Sequence, residues 1–414
     1  MDYTIIKKIM LDCFKIEKIR YDEVPVLTVA HDNDRSLLHK GKYYSPLIDT
    51  MEDDLAQRGV ACISVARIIS TVKGELSYAR VYSPEGAFAR ALVVKRLLAK
   101  FTRAAYPYSA MEERIWGDIL DQTKAKKVFG IQPSRELCVA CHKRGVWVAD
   151  VQHGVIAETH PWYGASFRAA DPIEYLPNAF LCWDEGSAEV IREWATPKGV
   201  VTNVIGNRWL ARFTRPAAND ALVQELSADY QLRTVRDERK TVMMSLSWGC
   251  TNIPNGFIGE ELEQVIRKTA STYRWLLRLH PNQIQGFATH EGPNFIKYFN
   301  QSLRGYAEWE LATQAPLPVV LRDIDLHVSW NSSVCIEAAQ VGIKSALLDP
   351  NLRADESKGD YYSYYKQAGL VELISESEAS LTAWLADNID SKRPAESFDA
   401  FDERYVQLLD FLAK

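Results

Sequence analysis

The chain has no apolar run near the roughly 20 residues that cross a bilayer, so no membrane-spanning helix is expected. No secretory signal is expected at its start, where Asp2, Lys7, Lys8 and Asp12 interrupt the apolar residues of Met1–Phe14. A cytoplasmic location is the expectation; the amphipathic segment Tyr3–Ile19 reads as a helix packed on its own domain, with peripheral contact at the inner membrane as the alternative. A basic excess is missing too. The formal net charge of −5 argues against a general nucleic-acid binder. Local basic stretches such as Ala91–Arg103 read as solvated helix faces.

A disulfide framework is absent. The seven cysteines are odd in number and dispersed. Cys138 and Cys141 form a C-x-x-C, but no second pair completes a zinc site. With His142 the run matches a short haem-attachment pattern, which the missing export signal discounts. These cysteines are assigned to the apolar face of a helix, and nothing here requires a metal or cofactor. Low-complexity segments and short-period repeats are likewise missing.

What remains is a soluble composition of ordinary kind, 47% hydrophobic and 25% charged, over 414 residues, enough for two domains. Strand and helix signals alternate along both halves. In the first half Val26–Ala30, Val60–Ile69, Lys126–Ile131, Val146–Val151, Asn178–Trp183 and Val200–Ile205 read as strands. In the second, Val242–Ser247, Trp275–His280, Phe295–Phe299, Leu326–Trp330 and Lys344–Leu348 do so, with helices at Gly259–Thr272, Tyr306–Gln314 and Ser333–Val341. This rhythm predicts an α/β fold of two Rossmann-like lobes, each a parallel sheet flanked by helices, with a cleft between them. The expected boundaries are 1–214 for an acceptor lobe, 215–240 for a linker, 241–395 for a nucleotide lobe and 396–414 for a terminal helix.

Ligands in such sheets bind at the carboxyl ends of strands. The second half has three polar strand ends. Val328–Gly342 carries Asn331, Ser332 and Ser333 where a helix should begin, a place of unpaired N–H groups. Glu337 follows one turn after Ser333 and suits a ribose hydroxyl. The plain alternative is that the serines cap the helix and Glu337 is a surface residue. In Arg274–Asn282, Leu277 and Leu279 alternate with Arg278 and His280 before Pro281 ends the strand. That delivers an arginine and a histidine together to phosphate or base. Ser247, Trp248 and Gly249 end a third strand; Trp248 either stacks on a base or covers the sheet edge.

In the first half, Gln152, His153 and Gly154 leave a buried strand, followed by Glu158, His160 and Tyr163. His153 and Glu158 are candidates for general base or nucleophile. Gln152, His160 and Tyr163 are candidates for holding an acceptor. Asp32, in the polar loop His31–Ser36, is a further candidate base.

The set Q-H-G at Gln152–Gly154, R-x-H-P at Arg278–Pro281 and N-S-S-x-x-x-E at Asn331–Glu337 resembles the GT-B glycosyltransferases of bacterial surface polysaccharides. It looks closest to enzymes of capsule and O-antigen synthesis with His-Pro and Ser-Ser signatures. These are bacterial sialyltransferases, Kdo transferases and, more distantly, teichoic acid glycerophosphotransferases. The likeness covers roughly 126–350. It implies a cytidine nucleotide held by His280, Pro281, Ser332 and Ser333, and a metal-independent transfer from a CMP-linked Kdo or sialic acid to a glycan or glycolipid. A CDP-polyol donor would use the same pocket, and a non-catalytic nucleotide-sugar binder is the third class. One departure stands out. The acidic pair of many sialyltransferases has a counterpart only in Asp184-Glu185-Gly186, at a position that also suits a helix start.

Overall fold

The computed structural model describes residues 3–31, 34–66, 70, 72, 74–102, 107–235, 238–250, 253, 255–284, 291–395 and 399–414. The statements below concern those residues. They divide into two units. One takes in the chain up to His153, then Pro161–Gly206 and Ala400–Lys414; the other takes in Gly154–His160 and Asn207–Asp399.

In the first unit β1 (Val26–Ala30) is buried along its length, as a parallel strand covered on both faces must be. After it come the antiparallel hairpin β2 (Leu37–His39) and β3 (Lys42–Tyr44). The strands β4 (Cys62–Ala66), β5 (Val81–Tyr82), β6 (Lys127–Gly130), β7 (Trp147–Val151), β8 (Ala179–Cys182) and β9 (Val201–Val204) join β1 in the order β5-β4-β1-β6-β7-β8-β9. Every pairing in that sheet is parallel. One face packs Leu27, Val29, Ile63 and Val128 against the helices Ala110–Thr123 and Arg135–His142. Cys138 and Cys141 lie in that core, and burial pushes both thiols up, Cys138 to about 12. The other face packs Val26, Phe129, Ala149 and Leu181 against Tyr405, Leu408, Leu409 and Leu412. Those four belong to the helix Asp399–Ala413, so the chain comes back to complete the unit in which it began.

The second unit repeats the plan. Its strands are β10 (Lys240–Ser245), β11 (Tyr273–Arg278), β12 (Ala307–Glu308), β13 (Leu326–Ser329), β14 (Lys344–Leu347) and β15 (Val371–Leu373), in the order β12-β11-β10-β13-β14-β15 and all parallel. The strand after β10 goes to one side of it and β13 to the other. Sequence order therefore reverses between β10 and β13, the switch point at which doubly wound sheets bind ligands.

Two expectations are corrected. Phe295–Phe299 is helix, within Glu291–Ser302, and not a strand. Phe295 and Phe299 are buried four residues apart while Ile296 is exposed, which is helical spacing. The edge strand is instead β12, two residues long, inside the segment read as the helix Tyr306–Gln314; helix resumes only at Glu310–Gln314. The polar stretch 215–240 contains the helix Ala221–Arg233, and its described residues fall in the second unit.

Candidate functional site

The three polar strand ends of the second unit are neighbours. Ser245 pairs with Arg278 on one side and with Ser329 on the other, so the residues that follow each leave the sheet side by side. Ser247 is buried and donates from Oγ to Oδ1 of Asn331 at 2.9 Å. Asn331 Nδ2 donates to Asp349 at 2.7 Å, and its carbonyl accepts from the Tyr362 hydroxyl at 2.8 Å. The Asn331 side chain is thus committed to the frame that holds the turn. Ser329 closes that turn: its Oγ donates to the Ser245 carbonyl at 2.8 Å and accepts from Ser332 N at 3.1 Å.

The helix after the turn is Val334–Gln340, seven residues. It begins one residue later than expected and is too short for its dipole to matter much; the local N–H groups are what it offers. Ser332 Oγ accepts from Val334 N at 3.3 Å, a local cap. Ser333 is already helical in backbone and makes no side-chain cap bond. Gly154 lies against it, since a Cβ added there would be 3.7 Å from Ser333 Oγ.

Glu337 is not a plain surface residue. Burial pushes its carboxyl up to about 7, against the pull of the Arg278 cation and of Asn207, whose Nδ2 donates to it at 3.3 Å. Burial brings Arg278 down to about 10, with Glu337 opposing. Its Nη1 donates to the carbonyls of Ala312 and Ala315, the latter at 2.8 Å. The sequence suggested a phosphate claw of Arg278 and His280. The structure gives Arg278 a different emphasis, as a partly satisfied cation facing Glu337.

His280 has its pKa pushed down to about 4 by burial, reinforced by Arg278, so it is neutral at physiological pH. Its Nδ1 lies 3.1 Å from the Asn282 N–H and accepts from it, which leaves Nε2–H as a donor. Pro281 starts the short helix Pro281–Ile284, and Gln283 Oε1 accepts from His280 N at 2.8 Å. Trp248 is 45% exposed, with its ring centre 6.2 Å from that of His280. Gly249 has a φ of 68°, a conformation that favours glycine. Glu291 ties these loops together, accepting from Gly249 N at 3.1 Å and from Gln283 Nε2 at 2.9 Å.

Sequence reasoning missed Glu291, Asp349, Asn207 and Tyr362. Asp349 had a usable signal, since Asp-Pro-Asn follows the next strand end, where it caps the turn Pro350–Leu352. The other three become visible only through the fold.

In the first unit His153 is held by the Tyr163 hydroxyl, 3.0 Å from its Nδ1. Tyr163 is buried, and burial keeps its phenol neutral. Its carbonyl accepts from Trp194 Nε1 at 3.0 Å. Gln152 is buried as well, with Oε1 accepting from Trp183 N at 2.6 Å and Nε2 donating to Ser187 at 3.0 Å. Both were expected to touch an acceptor; the structure uses both to build and orient the His153 turn. Asp184 is the N-cap of the helix Glu185–Ala195, accepting from Ser187 N at 2.7 Å, so the acidic pair is a helix start.

Glu158 is exposed in the loop 154–160, which belongs with the second unit. That loop is fixed by Thr159 N donating to Asp360 at 2.9 Å and by His160, whose ring lies 6.1 Å from Tyr361. Burial lowers His160 to about 4. Asp32 lies outside the described residues.

No family model and no curated protein matches the sequence. Solved structures match its fold. The UDP-GlcNAc 2-epimerase from Neisseria meningitidis, bound to UDP-GlcNAc, aligns with a TM-score of 0.56 at 14% identity, covering 94% of this chain and 99% of that one. The wall teichoic acid polymerase TagF gives 0.54 at 11% identity over 99% and 88%. A TagF variant soaked with CDPG gives 0.53 at 11% identity over 99% and 87%. At such identities the likeness carries the fold, and the chain has the GT-B class of architecture, two Rossmann-like α/β units.

Proposed function

We propose that this chain is a metal-independent transferase of GT-B type that moves a sugar from a nucleotide-activated donor to a surface-polysaccharide acceptor, a glycan or glycolipid. The observation behind the reading is the meeting of Ser247–Gly249, Arg278–Pro281 and Asn331–Ser333 at the switch point of the second sheet. The chemistry of those groups suits a nucleotide. Trp248 presents an aromatic face for a base. Nε2–H of His280, the Ser333 hydroxyl and the N–H groups of the turn are donors for phosphate oxygens. Glu337 can accept from ribose hydroxyls.

The donor we favour is CMP-linked, Kdo or sialic acid, because the His-Pro and Ser-Ser elements resemble cytidine sites. The bond from the anomeric carbon to the phosphate oxygen breaks, its electron pair stays with the phosphate, and the donors above stabilise that charge. On the acceptor side His153 is the better base. With Nδ1–H donated to the Tyr163 oxygen, Nε2 carries the lone pair that takes the acceptor proton, and the outcome is inversion. Glu158 is the alternative, as base or as a nucleophile that would give retention.

A second reading has a specific observation in its favour. Likeness to TagF, including the variant soaked with CDPG, favours transfer of a polyol phosphate from a CDP-linked donor. Thermal shifts with CMP, CDP, UMP, UDP and GDP, followed by turnover of CMP-Kdo, CMP-sialic acid, CDP-glycerol and UDP-GlcNAc, separate these. The favoured reading expects the largest shift with CMP and turnover of a CMP-sugar. Turnover of CDP-glycerol alone establishes the second reading. A shift with no turnover of any donor leaves a binding protein.

A further inference from the structure

We infer that the face formed by the helices Tyr3–Asp12 and Glu85–Thr102 of the first unit docks the protein on an anionic lipid bilayer. The two helices pack on each other. Ile9 is buried, and Phe88 is buried against Trp116 of the helix Ala110–Thr123. The chain that leaves the first helix is pinned to the first turn of the second. Arg90 Nη1 donates to the carbonyls of Cys13 and Lys15 at 2.9 Å each, and Gly86 N donates to Glu17 at 3.0 Å. Gly86 has room only for hydrogen there, since a Cβ would stand 2.2 Å from the Lys15 carbonyl oxygen. The surface is therefore a built part of the unit.

Its outer side is apolar. Met10, Leu11, Phe14 and Ile16 are 51%, 60%, 81% and 89% exposed, and on the second helix Leu97 and Phe101 are 51% and 86% exposed. Single exposed apolar residues are ordinary, but a concentration of large ones on two packed helices and on the chain just after the first, where Phe14 and Ile16 lie, marks an interaction surface.

Charge selects the occupant. Residues 3–20 and 85–102 hold nine Lys and Arg against three Asp and Glu, within a chain that carries 49 basic and 54 acidic residues. Each of the three acids has a partner, Asp12 and Glu85 being buried and Glu17 exposed. Asp12 pairs with Lys8 and Lys15 at 3.1 and 2.7 Å, the buried Glu85 pairs with Lys15 at 2.6 Å, and Glu17 holds Gly86. Exposed beside the apolar residues are Lys7, Lys18, Arg20, Arg96 and Lys100, against the single exposed acid of the two segments, Glu17. A second copy of this face would set like charges against each other. An anionic headgroup layer accepts the cations while Phe14 and Phe101 enter the acyl boundary. Long lysine and arginine side chains reach the headgroups from such a depth.

This inference stands apart from the donor reading and is tested without activity. The full chain is mixed with vesicles of phosphatidylcholine and phosphatidylglycerol, or of phosphatidylcholine alone, and sedimented. It is expected to sediment with the anionic vesicles, to remain in solution with the neutral ones, and to be released by salt. The double change Phe14→Glu and Phe101→Glu, and separately Lys7→Glu with Lys100→Glu, should each lower the bound fraction about tenfold or more with unchanged circular dichroism. Wild-type protein that stays in solution with anionic vesicles overturns the inference, as does wild-type binding by both folded variants. A dimer of the wild type that the phenylalanine variant splits, with no vesicle binding, assigns the face to self-association and also overturns it.

Discussion

Over six strands the two sheets share one order, and they differ in what stands beside their first strands. In the first unit a buried ion pair lies next to β1 and β4. Arg35 and Asp49 are in contact, and Arg35 Nη2 donates to Ser64 at 2.8 Å. Glu52 lies close by, accepting from Thr28 of β1. Burial works against the Arg35 cation, but Asp49 and Glu52 more than offset it. Burial pushes Asp49 up despite Arg35, and burial together with repulsion from Asp49 pushes Glu52 up to about 8. In the second unit the comparable region sets hydroxyls, an amide and neutral histidines around the Arg278–Glu337 pair. His327 bridges Ser345 at 2.9 Å and Ser245 at 3.0 Å, and burial lowers it to about 3. The same topology carries in one case charge neutralised within a buried cluster, and in the other an Arg278–Glu337 pair set among neutral donors and acceptors. The first arrangement suits rigidity, because full charges taken out of water must be paired. The second suits a nucleotide, because neutral donors keep their hydrogen bonds for an anion without first giving up a partner charge.

The contrast is broken most strongly in the first unit. Asp49→Ala leaves Arg35 buried without its carboxylate, and a loss of about 3–5 kcal/mol is expected in urea unfolding of that unit. Glu52→Gln, which removes only a proton site, should cost far less. Equal losses from the two changes would show that the ion pair is not what holds this region.

Acidity acts on the second unit next. Its histidines His327, His280 and His160 have folded pKa values of about 3, 4 and 4. Each is neutral when folded and takes up a proton when unfolded. Their contribution is present above about pH 6.5 and is lost as pH falls toward 4 and then 3. His327, fully buried, should account for on the order of 4 kcal/mol of that loss. The half-buried His280 and His160 contribute less, because solvent screens them. Glu52 has the opposite sign, its raised carboxyl favouring the folded state most below about pH 4.5 and losing that contribution as pH rises through 8. Hydrogen exchange resolved by unit, from pH 4 to 8, is expected to show protection falling first in β10, β13 and β14 on the acid side. Simultaneous loss in both sheets would remove the distinction.

Two smaller effects sharpen the reading of the second unit. His280→Ala should weaken nucleotide binding by about 1–3 kcal/mol through loss of the Nε2–H donor, with the melting temperature of the free protein little changed. Wild-type affinity in titration calorimetry would take His280 out of the site. Glu337, poised at about 7, should give nucleotide affinity a shallow rise with pH through that value, because its ionised form is the better acceptor. In Glu337→Gln the rise should vanish. Its persistence would place the titrating group elsewhere.

Much of the architecture was legible because parallel strands buried on both faces are written as short apolar runs, and β1, β6, β7, β10, β11 and β13 are of that kind. The failures have a common source. An edge strand of two residues, β12, has no periodicity to detect, and Phe295–Phe299 mixes spacings of one, three and four that fit either strand or helix. The site was legible as far as strand ends go. It stopped being so where one strand end depends on another. That Asn331 is spent on Ser247 and Asp349, or that Arg278 answers to Glu337 and to carbonyls 312 and 315, follows from register and packing, which no single segment encodes.

The helix Asp399–Ala413 has a consequence in time. Tyr405, Leu408, Leu409 and Leu412 fill one face of a sheet whose strands are all made before residue 205. During synthesis that face waits until the whole intervening unit, 207–399, has been translated. At roughly 5–20 residues per second the delay is on the order of 10–40 s. The unit that emerges first from the ribosome is therefore the last to be closed, and its open apolar face is a natural client for a chaperone during that interval.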